Sequence, residues 1–569
     1  MKESPPSSAP YPSPRIPGDT NIRFRGFDMH PVVASASAGL IILFIALTLI
    51  FQEQANTVFN TIQNFIANST GWFLILAANV YLGFVVFLAL SKFGKIRIGG
   101  PTAKPEFSTF AWFAMLMSAG MGIGLMFWSV AEPVFHVQSP PPFFGNVQAS
   151  GIEASRSAMG MTFFHWGLHA WGIYALVGLS LAFFTFNRGL PLTIRSVFYP
   201  ILGERIYGWP GNLIDILAVL ATLFGLATSL GFGAQQVSAG LNFLVGLPDS
   251  TWFQVILIAI ITGFATMSVV SGLDSGVKFL SEVNIYIAAV FMLFVLLVGP
   301  TLFIVNSMVE NLGYYLSILP SLSFWTETFD SQNCLVQLWS GNNTEGCAPW
   351  QNSWTVFYWG WWISWSPFVG TFIARVSKGR TVREFVIGVL LIPSVLSFVW
   401  LSVFGGSALS LILQDSGNLA QAVNENVATA LFVMLQQFPL TAISSLVGVL
   451  LVVTFFVTSS DSGSLVVDHL VSGGKLDSPV PQRVFWAVTE GVVAAVLLIG
   501  GGLQALQTAS ITTGLPFAIV LIVMCFSLYQ GLAEDIIELQ ARQLRSSSSA
   551  VKKNQTSSVP SSGSDFHQH

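Results

Sequence analysis

The segment FYWGWWISWSPFVG, residues 357–370, places Trp359, Trp361, Trp362 and Trp365 close together, beside a proline and two glycines. At about 100° per residue, Trp361, Trp362 and Trp365 share a helical arc of about 100°, while Trp359 points elsewhere. A second segment, HWGLHAWGIY (165–174), holds Trp166, Trp171 and Tyr174 within about 140°. Two such faces, turned toward each other with few acids nearby, suit a quaternary ammonium. That group cannot donate ordinary hydrogen bonds but is attracted to ring faces. The competing reading is interfacial belting, in which Trp and Tyr mark headgroup depth. Belts account for single aromatics near span ends, not for clusters on a glycine-containing helix.

Other residue types offer less. His165 and His169 have the i,i+4 spacing of helical metal ligands, but they project away from the Trp/Tyr face and no third ligand is evident. Packing is their expected role. Glu132, Asp215, Asp274, Glu282, Asp461 and Glu490 lie near or inside apolar runs. An intramembrane acid is a functional candidate by default, whereas at span ends the expectation is a helix cap or an ion pair with a loop arginine. The chain has no P-loop, Walker motif or catalytic triad, so ATP is not expected to drive it directly. No enzyme activity, organic cofactor or nucleic-acid partner is expected.

These residues sit in a chain built for lipid. Charged residues make up 9% of the 569, against roughly 25% in a soluble domain, and the mean hydropathy is +0.68. About 20 apolar residues cross the hydrocarbon. Twelve such runs occur, at roughly 32–52, 70–91, 108–135, 158–187, 212–235, 252–270, 283–306, 353–374, 384–410, 438–460, 483–501 and 506–530. This parse puts 22 of the 23 basic residues on one side, with only Arg156 on the other. By the positive-inside rule both termini are then cytoplasmic. Residues 1–31 read as a disordered arm, and 531–569 as a tail that begins with a short surface helix and ends disordered. Cys334 and Cys347 share an outer loop, either as a disulfide or as two thiols. Asn68 and Asn342 form N-x-S/T triplets in outer loops.

Two spans are expected to be interrupted. The third contains SAGMGIGLMFW (118–128), with Gly120, Gly122 and Gly124 at alternate positions; the eighth is broken by Ser364–Pro367 and Gly370. If spans 3–7 and 8–12 are repeats, their odd number inverts the second relative to the first. Interruptions at corresponding places in inverted halves point to a transporter's central site. Glycines also permit close helix packing, but a spacing of two rather than four argues against that alone.

GMGIGLMFWSVAEP (120–133), SGLDSGVKFLSEVNI (271–285) and WTVFYWGWWISWSPFVGTFIARVSKGRTVREF (354–385) resemble the signature segments of the betaine–carnitine–choline transporter family. The resemblance implies an all-α integral membrane fold of twelve transmembrane helices, with a leucine-transporter-like 5+5 inverted repeat (about 108–306 and 353–530) preceded by two extra helices. It also implies a homotrimer in the lipid of the plasma membrane, in bacteria the inner membrane. An aromatic cage carries over onto Trp166, Trp171, Tyr174 and Trp362, with Trp365 and Phe368 beside the pathway and Gly120, Gly122 and Gly124 on the broken helix. A sodium site carries over onto the hydroxyls of Thr458 and Ser459 and the carbonyls of Ser118, Met121 and Phe455. A second site would use Thr222, although Leu226 stands one turn later where a second Thr is expected; at least one sodium per solute is expected and two are favoured. The implied activity is sodium-coupled import of a zwitterionic compatible solute, most simply glycine betaine. Family members that carry choline tend to have Asp at the position of Gly124. The alternatives are a proton-coupled or ion-independent carrier or exchanger of choline, carnitine or dimethylsulfoniopropionate, and an osmosensor with vestigial transport. A tail with only four basic residues speaks against strong tail-mediated sensing.

Overall fold

Where water is absent, backbone polar groups must pair within the chain, and the long apolar runs therefore become helices. A computed structural model describes residues 15–120, 122–271, 274–329 and 349–556. Met121, Cys334, Asn342 and Cys347 lie outside the described residues. The principal helices are α1 Pro31–Ile50, α2 Gln52–Leu90, α3 Thr109–Gly120, α4 Ile123–Gln138, α5 Ile152–Trp166, α6 Leu168–Phe186 and α7 Trp209–Val245. They continue as α8 Thr251–Ser271, α9 Asp274–Val298, α10 Thr301–Ser323, α11 Thr355–Val376, α12 Val382–Leu413, α13 Thr441–Val471 and α14 Val480–Thr556. Among the described residues, nine helices are long and apolar enough to cross a membrane, or ten if the bent pair α3/α4 is one span.

The two expected interruptions turn out differently. Between α3 and α4 the helix direction changes by 64°, and Gly122 caps α4 with extended backbone. The eighth span, however, is one continuous helix, α11, with Pro367 inside it. Proline cannot donate to the carbonyl four residues back. That carbonyl, Ile363 O, instead accepts the Ser366 hydroxyl at 2.7 Å. Gly370 serves packing: a Cβ there would come within 2.5 Å of Val177 on α6. An unpredicted break falls in the fourth span, where Gly167 separates α5 from α6.

Three boundaries also differ. The seventh span ends at Val298, and α10 forms a separate helix in what reads as an outer loop. The tail helix is a continuation of α14 rather than a separate piece. Buried Arg188 holds it, donating to Gly531 O at 3.0 Å and pairing with Glu538 at 3.1 Å. The arm is not wholly disordered either. Residues Ile22–Phe24 and Phe27–Met29 form an antiparallel hairpin. Asn21 donates to Ser472 O, Lys475 pairs with Asp28 at 2.6 Å, and the Asp28 amide donates to Gln482. Burial pushes the Asp28 carboxyl up, but Lys475, Asn21 and Arg23 together hold it below its usual value. Inside α14, Gly501 and Gly502 turn the chain, the latter with φ 58°. This falls between the runs read as the last two spans.

Around the centre, α11 packs against α6, α7 and α14, while α4 packs against α5 and α12. The α11/α6 contact tests this packing. Gly370→Ala should destabilise the fold by about 1–3 kcal/mol through overpacking. Gly83→Ala, where nothing lies within 4 Å of the new carbon, should not. Heat challenge of detergent-purified protein followed by size-exclusion chromatography reads the difference, and equal losses would contradict the packing.

Candidate functional site

Helices α4, α5, α6, α7, α11 and α12 enclose a cavity of about 40 Å³. Its wall includes Trp166, Trp171, Tyr174, Trp362, Trp365, Gly122 and Gly124, so the two aromatic faces do converge. It also includes Trp361, which shares the aromatic face read from the sequence, and Leu125, Ala170, Ser229 and Ser397, which sequence reasoning did not single out. Phe368 is one ring further out, 5.5 Å from Trp365, and Gly120 is the last residue of α3. Trp166, Trp171, Tyr174 and Trp362 are 5%, 4%, 3% and 6% exposed. They face the protein interior rather than lipid, which disfavours the belt reading. Trp359 lies on the other face, stacked on His169 at 5.5 Å.

The rings meet at defined angles. Trp362 is edge-on to Trp166 at 5.0 Å and to Tyr174 at 6.2 Å, and it stacks on Trp361 at 4.7 Å. Trp171 meets Tyr174 at 5.3 Å. Gly124 makes room for this arrangement, because a Cβ there would come within 2.7 Å of Trp361 and 3.1 Å of Trp166.

Polar tips hold the rings in place. The last carbonyls of a helix lack intrahelical partners, and the end of α5 at Trp166 leaves His165 O to accept the Trp362 indole N–H at 2.9 Å. The Trp166 indole donates to Glu132 Oε2 at 2.8 Å, and the Tyr358 hydroxyl donates to the same oxygen at 2.5 Å. Glu132 Oε1 lies 2.6 Å from His165 Nδ1 and 3.3 Å from His136 Nε2. The expected cap or arginine partner for Glu132 is therefore corrected: the side chain is wholly buried behind the cage. His165 likewise has the neighbours that its sequence spacing did not reveal. Ligand atoms of Glu132, His136 and His165 lie within 4.8 Å of one another, a spacing a metal could use, but the carboxylate is already engaged by hydrogen-bonding groups. His169 is separate and bonds Asn79 at 2.9 Å. Asp215 does pair with Arg195, as expected of an acid near a span end. Glu490 instead lies buried beside Ser460.

The hydroxyls expected to take sodium sit on α13. Thr458 Oγ1 donates to Thr454 O at 3.0 Å and Phe455 O at 3.2 Å, and Thr458 and Ser459 are half-buried. Phe456 and Ile123 both approach Gly233, within 3.4 Å of a Cβ built there. That places this stretch beside the start of α4. Ser118 is half-buried near the end of α3. Thr222 is buried and donates to Ala218 O at 2.7 Å. Leu226 fills the notch at Gly463, where a Cβ would collide with it.

Glu132 and Tyr358 are the residues that sequence reasoning did not place at the site. The available signal was an acid inside an apolar run with His136 four residues on. Nothing local linked it to Trp166.

The family model for BCCT, the betaine/carnitine/choline family transporters, matches residues 32–537. A glycine betaine/proline/choline transporter of Vibrio parahaemolyticus is 47% identical over 544 residues, 93% of this chain and 93% of that protein. Glycine betaine transporter 1 of the same organism is 46% identical, over 90% of this chain and 96% of its own. A probable glycine betaine transporter of Desulfitobacterium hafniense is 43% identical, over 88% and 97%.

Removing one ring from the cavity wall provides a direct test. Loss of a desolvated ring face costs on the order of 2 kcal/mol, or roughly 30-fold in affinity for a quaternary ammonium. Trp362→Leu should therefore weaken half-saturation for glycine betaine by that factor in uptake assays. Trp359→Leu should lower the amount of folded protein and leave half-saturation near wild type. Equal shifts in half-saturation would contradict the assignment of faces.

Proposed function

The chain belongs to the betaine/carnitine/choline transporter family, and from that premise we propose that it imports a zwitterionic trimethylammonium solute, glycine betaine above all, coupled to sodium. Membership makes it a multi-pass membrane transporter of the betaine type and not an enzyme. Our reading adds the twelve-helix 5+5 architecture, cytoplasmic termini, a bacterial inner membrane and a homotrimer.

One observation carries the choice of solute: the cavity wall is aromatic and, among the described residues, contains no charged side chain. A bare cation would find no counter-charge in that wall, whereas a zwitterion brings its own. Ring faces attract the ammonium. Its carboxylate can be met by the hydroxyl of Tyr174 and the indole N–H groups of Trp361 and Trp365, three buried wall donors without a hydrogen-bond partner among the described residues. Gly124→Asp would place an acid in the wall and push aside the tip of Trp361. It should weaken glycine betaine uptake and shift preference toward choline. A wild-type protein that prefers choline would overturn the zwitterion reading.

Sodium is favoured by the pair Thr458 and Ser459, neutral oxygens of the kind a hard cation accepts. At about 100 mV and a tenfold gradient each sodium supplies roughly 3.7 kcal/mol. One ion then supports accumulation of several hundred-fold, and two about 10⁵-fold. A second ion at Thr222 is disfavoured by Leu226, whose packing against Gly463 occupies the neighbouring turn. Thr458→Ala with Ser459→Ala should raise the sodium needed for half-maximal uptake at least about tenfold. Labelled glycine betaine uptake into proteoliposomes with and without a sodium gradient decides the matter. Uptake unchanged in sodium-free buffer, driven by protons or counter-solute, would refute sodium coupling and favour the carrier or exchanger.

A further inference from the structure

We propose that Glu132 is a positioning and specificity-determining residue for the cationic head of the solute, supplying from behind Trp166 the negative charge that the cavity wall lacks. The proposal rests on reading the cavity as the site for that head.

The geometry defines the role closely. Glu132 Oε2 accepts from the Trp166 indole at 2.8 Å and the Tyr358 hydroxyl at 2.5 Å, and Oε1 faces His165 Nδ1 at 2.6 Å and His136 Nε2 at 3.3 Å. An indole N–H can only donate, so Oε2 is an acceptor there without ambiguity. The rest closes with both histidines neutral. With the proton on Nδ1, His165 donates to Glu132 and its Nε2 accepts from the Thr355 hydroxyl 3.0 Å away. With the proton on Nε2, His136 donates to Glu132, and its Nδ1 needs no proton and has no partner among the described residues. Four donors on one carboxylate is the environment of an anion, and no lysine or arginine among the described residues pairs with it. With both histidines neutral the cluster carries the single negative charge of Glu132.

That charge lies one ring's width from the cavity. Trp166 lines the cavity on one side and bonds Glu132 on the other, while Tyr358 stands 5.9 Å from Trp362. Two consequences follow. A hydrogen bond to an anion shifts electron density into the indole and phenol rings, which strengthens their attraction for a cation. The anion also acts directly across an apolar, poorly screened gap. A carboxylate in the wall itself would instead repel the carboxylate of a zwitterion. Behind Trp166, it faces the head and leaves the donors Tyr174, Trp361 and Trp365 to the other end.

The test uses the full-length protein in detergent, with glycine betaine titrated against intrinsic tryptophan fluorescence, and in proteoliposomes for uptake. Glu132→Gln should raise Kd and half-saturation about tenfold or more while the rate at saturating solute stays within about twofold. Trp166→Phe keeps a ring and removes the N–H. It should weaken binding in the same way, and the double variant should be little worse than either single one, as expected for residues acting through one contact. An unchanged Kd in folded Glu132→Gln, or additive effects in the cycle, would overturn the proposal, as would a fall in maximal rate at constant half-saturation. If Glu132→Gln does not yield a monodisperse protein, Trp166→Phe decides alone, and wild-type affinity there overturns it. Trp362→Leu separates the two levels: wild-type affinity in that variant sinks the cage reading itself. A weakened Trp362→Leu beside an unaffected Glu132→Gln sinks only this inference.

Discussion

Deep in an apolar bundle an indole N–H without an acceptor costs on the order of 1–3 kcal/mol, so a cage built from tryptophans is also a problem in placing acceptors. Two of its rings are settled by specific groups. Trp166 is tied to Glu132, and Trp362 to the backbone carbonyl of His165. The second acceptor is available because α5 stops at Gly167, where a Cβ would come within 2.6 Å of Phe163 O and 2.8 Å of Phe398. One glycine thus ends a helix, frees a carbonyl and fixes a ring on a different helix. The same arrangement keeps Trp171 and Tyr174 on α6 near Trp166 although the helix between them is not continuous.

Satisfying some tips and leaving others has chemical meaning. Trp166 and Trp362 present faces whose orientation is locked, while Tyr174, Trp361 and Trp365 have donors beside the cavity without a partner among the described residues. A solute with an apolar, charged head and an oxygen-bearing tail matches that division. Small residues make it sterically possible. Gly124 lets α4, just past its bend from α3, approach the tips of Trp361 and Trp166.

The remaining architecture sets the frame. Helix α11 carries four tryptophans and packs between α6, α7 and α14. It remains continuous through Pro367, where a serine hydroxyl replaces the missing amide donor. The hydroxyl-bearing stretch of α13 lies beside the start of α4, one turn from the bend that borders the cavity. A change at either place is therefore felt by the same few residues of α4. On the opposite side of the chain's organisation, the hairpin at 22–29 and the end of α14 are held by Lys475, Gln482 and Arg188 to loops and helices distant in sequence.

The apolar runs, the basic residues sorted to alternate loops, the glycine bend in the third span and the two aromatic faces are all local properties. Composition and a 3.6-residue period report them directly, so a helical membrane protein with two aromatic helix faces is legible in the residues alone. The signature segments determined its family. What the tertiary structure alone decided are pairings between residues far apart in the chain. Glu132 and Tyr358 are 226 residues apart, Trp362 and His165 are 197 apart, and Asp28 and Lys475 are 447 apart. Period and spacing place a side chain on one face of its own helix but not against a chosen partner. That choice depends on how helices rotate and approach one another, which glycine notches such as Gly463 against Leu226 control. The sequence therefore marked Glu132 as an acid at membrane depth, and only the packing of α4, α5 and α11 made it the anchor of the cage.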